Sequence, residues 1–161
     1  MRAHKVYEFK RGRDVKTSLN IGKRVQIEKW FDTFAPDVEY TIGEDLSVHV
    51  DRGLNLFHTS VTHLPDGLHV DGYIDLQGTP ITHLPDGLYV VWDLDLKSTP
   101  IKQLPYSLHV GGDLDLRGTP ITHLPDGLHV GRNLWIPENG LGHMSDEEIK
   151  SKAKIKGRIF R

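Results

Sequence analysis

Histidine and aspartate recur along this chain at spacings that bear on chemistry. Ten histidines stand among 161 residues, and six of them fall in two columns with a twenty-residue period. His63, His83 and His123 form one column, interrupted by Gln103; His69, His109 and His129 form the other, interrupted by Tyr89. Imidazole is a common metal ligand, and it is the side chain that gains charge nearest neutral pH. Column mates on stacked strands stand about 4.8 Å apart. That is too far to share one ordinary zinc ion easily, since its bonds to nitrogen are near ~2.1 Å. The expectation is therefore solvated or stacked histidines and no metal site. The fold should weaken as such columns gain charge below about pH 6.

The aspartates form columns too: Asp75, Asp95 and Asp115 in one, Asp93 and Asp113 in its neighbour. Paired carboxylates can serve acid/base catalysis, but catalysis also needs a cleft, and the sequence shows none. Carboxylates stacked at one strand spacing repel each other. Lys97 and Arg117 beside them, a cation, or a basic partner would offset that repulsion. The same stretch carries Phe57, Tyr73, Trp92 and Trp135, and Trp92 stands where neighbouring rows have Gly72 and Gly112. Exposed aromatics among charges are typical interface anchors. The expected partner-binding face is thus Phe57, Tyr73, Asp75, Trp92, Asp93, Asp95, Lys97, Asp113, Asp115, Arg117 and Trp135.

Several chemistries are excluded or lack their signature. The chain has no cysteine, which removes disulfides, thiolate zinc sites and any cysteine nucleophile. No nucleophile elbow, P-loop, Gly-x-Gly-x-x-Gly or His-Glu-x-x-His pattern occurs. No catalytic residue is assigned, no cofactor is expected, and the reading is not that of an enzyme.

The elements that position these residues follow from the repeat. In rows of twenty, Leu64, Leu84, Leu104 and Leu124 each precede a proline. Then come Leu68/Val70, Leu88/Val90, Leu108/Val110 and Leu128/Val130, followed by Ile74/Leu76, Leu94/Leu96, Leu114/Leu116 and Leu134/Ile136. Thr79, Thr99, Thr119 or Asn139 follows each pair, and Ile81, Ile101, Ile121 or Leu141 closes the row. A diverged first row keeps Leu54/Leu56, Thr59 and Val61. In Asp113-Leu114-Asp115-Leu116-Arg117 the period-two alternation puts both leucines on one side and the charges on the other. One such strand cannot bury its face alone, whereas parallel stacked strands share one apolar interior. The threonine column turns the chain and bonds nearby main chain, and Pro-Asp-Gly suits a tight turn. Twenty residues leave no room for a return helix, so that side is expected to be extended or polyproline-like.

This spacing, Leu-x-Leu-x-x-Thr/Asn-x-Ile with a following Leu-Pro, resembles the leucine-rich repeat. The row length and Leu-Pro element resemble the short bacterial class found in secreted effectors of enteric pathogens. The likeness covers roughly ninety residues and implies a parallel β-solenoid of leucine-rich-repeat type with about five 20-residue coils. Two columns depart from that family: threonine replaces the usual asparagine, and Asp71, Val91, Gly111 and Gly131 replace a leucine. These departures leave room for a right-handed β-helix. Effectors of this class that are ubiquitin ligases carry a separate catalytic domain with a cysteine, so that activity does not transfer. The chain as a whole more loosely resembles small phage- and prophage-encoded repeat proteins.

The flanks read as caps. Residues 1–49 hold a helix over 14–34, with Leu19, Val25, Ile27, Trp30, Phe31 and Phe34 as its apolar positions, and a hairpin over 38–50 turning at Gly43-Glu-Asp45. Residues 50–141 are the solenoid. In residues 142–161, Ser145 caps a short helix Asp146–Lys154, and the basic end is read as a mobile tail.

Charge divides the same way. Residues 1–30 carry a net +6, residues 31–149 a net −14, and residues 150–161 a net +6. The leading expectation is a protein-binding module using its acidic, aromatic-bearing strand face. Given the phage resemblance, it would inhibit a host defence or nucleic-acid-handling protein. The alternatives are nucleic-acid binding through Lys10, Arg11, Arg13, Lys152, Lys154, Lys156 and Arg158, a bacterial secreted effector, or a self-associating solenoid. The start of the chain lacks the apolar stretch of a cleaved signal, so a cytoplasmic location in a bacterial host and no membrane association are expected.

Overall fold

Each twenty-residue row folds into one turn of a parallel β-solenoid and contributes two short strands to two separate sheets. The computed structural model describes residues 15–138 and 140–161. The strands are β1 (Tyr40–Ile42), β2 (Val48–Val50), β3 (Leu54–Asn55), β4 (Leu68–Val70), β5 (Ile74–Asp75), β6 (Tyr89–Val90) and β7 (Leu94–Asp95). They continue as β8 (His109–Val110), β9 (Leu114–Asp115), β10 (His129–Val130), β11 (Leu134–Trp135), β12 (Lys154–Ile155) and β13 (Ile159–Phe160). The first sheet runs β1-β2-β4-β6-β8-β10-β12 and the second β13-β11-β9-β7-β5-β3. Among the described residues only the pairing of the β1–β2 hairpin is antiparallel. The strand β2 closes that hairpin and also starts the parallel stack, pairing Val48 with Leu68 and Val50 with Val70.

The sequence gives one strand per row from its clearest alternation. The Leu-x-Val segments supply a second sheet, because Leu68 and Val70 point inward around His69 just as Ile74 and Leu76 do around Asp75. The stretch from the threonine column to the Leu-Pro pair lies outside both sheets, as its prolines require. Aliphatic columns fill the interior. Leu54, Ile74, Leu94, Leu114 and Leu134 form one, Leu56, Leu76, Leu96, Leu116 and Ile136 a second, and Val61, Ile81, Ile101, Ile121 and Leu141 a third, all essentially inaccessible. Burying each such side chain contributes roughly 1.5–3 kcal/mol, and every coil depends on its neighbours for that burial.

Polar groups inside the stack are matched. The hydroxyls of Thr79, Thr99 and Thr119 are buried and donate to the carbonyls of Leu76, Leu96 and Leu116 at 2.7–2.8 Å. Thr59 repeats the bond to Leu56. No buried side-chain nitrogen or oxygen among the described residues lacks a partner. Just before each threonine the chain turns through left-handed backbone: Gly78 and Gly118 have φ near 69°, and Ser98 adopts φ 57° in the same column. At the corner between the sheets, coils approach so closely that a β-carbon on Gly111 would lie 2.1 Å from the Val91 carbonyl oxygen.

The N-terminal helix α1 (Val15–Phe34) covers the first coil through its last turns. Trp30 and Phe31 are buried, Trp30 Nε1 donates to the His63 carbonyl at 2.8 Å, and Phe31 stacks on Tyr40 with centroids 3.9 Å apart. The apolar stripe is shorter than the sequence suggests: Leu19 and Val25 are 62% and 40% exposed. At 3.6 residues per turn Val25 falls off the face that carries Ile27, Trp30, Phe31 and Phe34, while Leu19 stands about 16 Å before Trp30 along the axis.

At the other end, α2 (Asp146–Lys152) has a capping box: the Glu148 N–H donates to Ser145 Oγ, and the Ser145 N–H donates to the Glu148 carboxylate. The helix stops before Lys154, and the basic tail is not left outside the fold. Lys154 and Ile155 pair with His129 and Val130, while Ile159 and Phe160 pair with Leu134 and Trp135. Both pairs stand twenty-five residues apart, because α2 lengthens this last turn by five. Ile155 and Ile159 occupy solenoid positions, which is why the tail docks.

Candidate functional site

The outward side of the second sheet is organised in rows. Ile74 and Leu76 point inward, so Tyr73, Asp75 and Gln77 point outward, and the next rows present Asp93, Asp95 and Lys97, then Asp113, Asp115 and Arg117. The register sets Asp75 beside Asp95 and Asp95 beside Asp115, so three carboxylates stack at successive strand spacings. Each also anchors its own chain: Oδ1 of Asp75, Asp95 and Asp115 accepts from the N–H of Gln77, Lys97 and Arg117 respectively. All three are half-buried. Burial raises the Asp95 pKa above the usual carboxylate value, the Asp115 and Asp75 charges add to this, and the Lys97 N–H and ammonium oppose it.

The cations beside this column are unequal. Arg117 forms a fork with Asp115, its Nε lying 3.0 and 3.1 Å from the two carboxylate oxygens, and its guanidinium carbon sits 5.9 Å from the Trp135 ring centroid. Among the described residues no ion pair joins Asp75 or Asp95 to a cation.

The structure sorts the expected face residues into three groups. Asp75, Asp95, Lys97, Asp115 and Arg117 are together on one face, with Tyr73 and Phe57 exposed beside them at 42% and 47%. Asp93 and Asp113 share these outward rows and also brace neighbouring coils: the Asp113 N–H donates to Asp93 Oδ1 at 2.7 Å, and the Asn133 N–H donates to Asp113 Oδ1 at 2.8 Å. Trp135 is packed, stacking on Phe160 with centroids 5.0 Å apart. Trp92 is 63% exposed but lies in the bend between β6 and β7, outside the strand rows. A cleft of about 450 Å³ between α1 and the first coil, floored by Ile27, Trp30 and Leu64, shares no residue with the acidic column.

The first sheet carries a second column that the sequence shows only in part. Its outward residues are His49, His69, Tyr89, His109 and His129, in register. Their rings form a continuous ladder with centroid separations of 4.9, 4.6, 4.3 and 4.4 Å, tilted between His49 and His69 and stacked from His69 onward. Tyr89, an interruption in the sequence, is a rung of this ladder. His49 is the member that sequence reasoning missed, because its row has diverged elsewhere. The signal is the segment His49-Val50-Asp51, repeated as His69-Val70-Asp71. The His63, His83 and His123 column is different: each Nδ1 meets the hydroxyl of the preceding threonine at 3.1–3.4 Å.

Burial, followed by the Lys156 charge, lowers the His109 pKa. His129 is lowered by burial and by the charges of His109, Lys156 and Lys154. Of the basic candidates, Lys152, Lys154, Lys156 and Arg158 are exposed on and beside the final turn, while Lys10, Arg11 and Arg13 lie outside the described residues. Among the described residues no helix is long and apolar enough to cross a membrane.

Comparisons with protein-family models, with curated proteins and with solved structures gave no match.

Proposed function

We infer that this chain is a non-enzymatic binding module that grips a basic protein partner with the outward face of its second sheet. The observation that carries this reading is the in-register column Asp75–Asp95–Asp115. Its central carboxylate is half-buried with a raised pKa, and exposed aromatics stand at its upper end. Holding like charges together on a rigid sheet costs stability, and a cationic partner would recover that cost on binding. Tyr73 and Phe57 supply the apolar contact that charge alone does not. The phage resemblance supports a narrower reading, in which the partner is a host protein whose own ligand is nucleic acid and whose basic groove the column occupies.

The test is capture of partners from bacterial lysate on the tagged full chain, with and without nuclease. The reading expects a protein that survives nuclease treatment and is released by salt.

A second reading rests on a different observation: the last turn fixes Lys154 and Lys156 on a sheet edge, with Lys152 and Arg158 nearby. Such a cluster suits nucleic-acid phosphates, and binding would then fall steeply with salt. No shift of DNA or RNA by the intact chain at about 50 mM salt counts against it.

A further inference from the structure

We propose that His49, His69, Asp71 and Asp51 form a divalent transition-metal site, of zinc type, that clips the first two coils together. Asp71 bridges the Nε2 edges of the two rings: its Oδ2 is 3.1 Å from His49 Nε2 and its Oδ1 is 3.1 Å from His69 Nε2. Asp51 Oδ1 is 3.2 Å from His49 Nε2. The donor atoms of His49, His69 and Asp71 all lie within 4.8 Å of one another. Donors of a tetrahedral zinc ion with bonds near 2.0–2.1 Å stand about 3.3 Å apart; each nitrogen–oxygen separation is near that spacing, with the two to Asp71 running to its two different oxygens. All four side chains are substantially exposed, so no core packing opposes the rotations that would bring the two Nε2 atoms onto one ion.

The repeat itself supplies an independent argument. The position two residues after each ladder residue is Asp51, Asp71, Val91, Gly111 and Gly131 in successive rows. Carboxylates occur there only where two adjacent rungs are both histidine and no tyrosine intervenes. His109 and His129 are also adjacent rungs, but their rows carry glycine and the Lys156 charge stands close by. The metal chemistry is thus confined to one end of the ladder. Backbone spacing alone hides it, because the carboxylate of Asp71 reaches both rings across the gap between strands. Imidazole with carboxylate suits zinc and its first-row neighbours rather than calcium or magnesium. The β2–β4 pairing holds the two histidines in register before any ion arrives.

The experiment is calorimetric titration of the tag-free, chelator-treated full chain with Zn²⁺, and visible absorption on titration with Co²⁺. One ion per chain is expected, with Kd on the order of 1–10 µM, together with the strong absorption of four-coordinate cobalt. His69→Gln and Asp71→Asn should each weaken binding at least about tenfold and lose the cobalt signal. His109→Gln, a change in the same ladder, should leave both unchanged. Thermal unfolding of each metal-free variant checks that it is folded, and Zn²⁺ should raise the midpoint of the wild type but not of Asp71→Asn. Absence of saturable binding up to about 100 µM, or binding that neither His69→Gln nor Asp71→Asn weakens, overturns the proposal.

Discussion

The main-chain N–H of Asp113 donates to the side chain of Asp93 one coil earlier, at 2.7 Å. Asn133 then donates to Asp113 at 2.8 Å, and Arg158 to Asn133 at 3.0 Å. This chain of side-chain acceptors ties four successive turns together beside the sheet ladder. Asp113→Ala removes the acceptor for the Asn133 N–H and should cost about 1 kcal/mol. Asp113→Asn keeps the carbonyl oxygen and should cost much less. Denaturant unfolding of both variants measures the difference.

The charge of the acidic column has the opposite relation to stability. A carboxylate whose folded pKa is raised contributes stability that is fully present below its unfolded value, near 3.8, and lost as pH rises through the folded value. At neutral pH ionised Asp95 therefore works against the fold. Asp95→Asn keeps the acceptor for Lys97 and should raise the melting temperature at pH 7. The gain should vanish at about pH 3, where the wild-type carboxyl is also neutral. An equal gain at both pH values would show that charge is not its source.

The ring ladder should make the fold acid-sensitive. His109 and His129 have folded pKa values below the ordinary 6.5. The stability linked to their neutral forms is present above that value and is lost as pH falls below 6.5 toward their folded values. The unfolding midpoint should drop between about pH 7.5 and about pH 5.5. Replacing both histidines by glutamine should flatten that slope, and a slope unchanged in the double variant would place the titration elsewhere.

Truncating a central rung of the core tests the shared interior. Leu96→Ala should cost about 2–5 kcal/mol, because Leu96 is fully buried between its column mates Leu76 and Leu116. A cost below about 1 kcal/mol would mean that neighbouring coils close the gap.

The repeat made most of this architecture legible in the sequence. The aliphatic columns and the threonine turn are local patterns, and twenty-residue periodicity turns local patterns into stacking. The docked tail was less visible: Ile155 and Ile159 keep solenoid positions only once the five extra residues of α2 are allowed for. The face was legible as a set of residue types but not as a set of roles. Asp93 and Asp95 are two residues apart and chemically identical, yet one braces a neighbouring coil while the other turns its own chain. That difference depends on which N–H each carboxylate meets, which only the register between coils determines. His49 shows the same limit, since its place in the ladder comes from its pairing with His69.

The most direct test of the proposed binding face removes its negative charge while keeping its main-chain hydrogen bonds, at the loss of the Arg117–Asp115 ion pair. Asp75→Asn, Asp95→Asn and Asp115→Asn together keep every main-chain acceptor of the column while removing three negative charges. The measurement is the affinity of this triple variant for the captured protein partner, beside wild type, with folding verified by thermal melting. At least about a tenfold loss, steeper at low salt than at high salt, is expected if the column is the contact. A folded triple variant that binds its partner as tightly as wild type would contradict the assignment of this face.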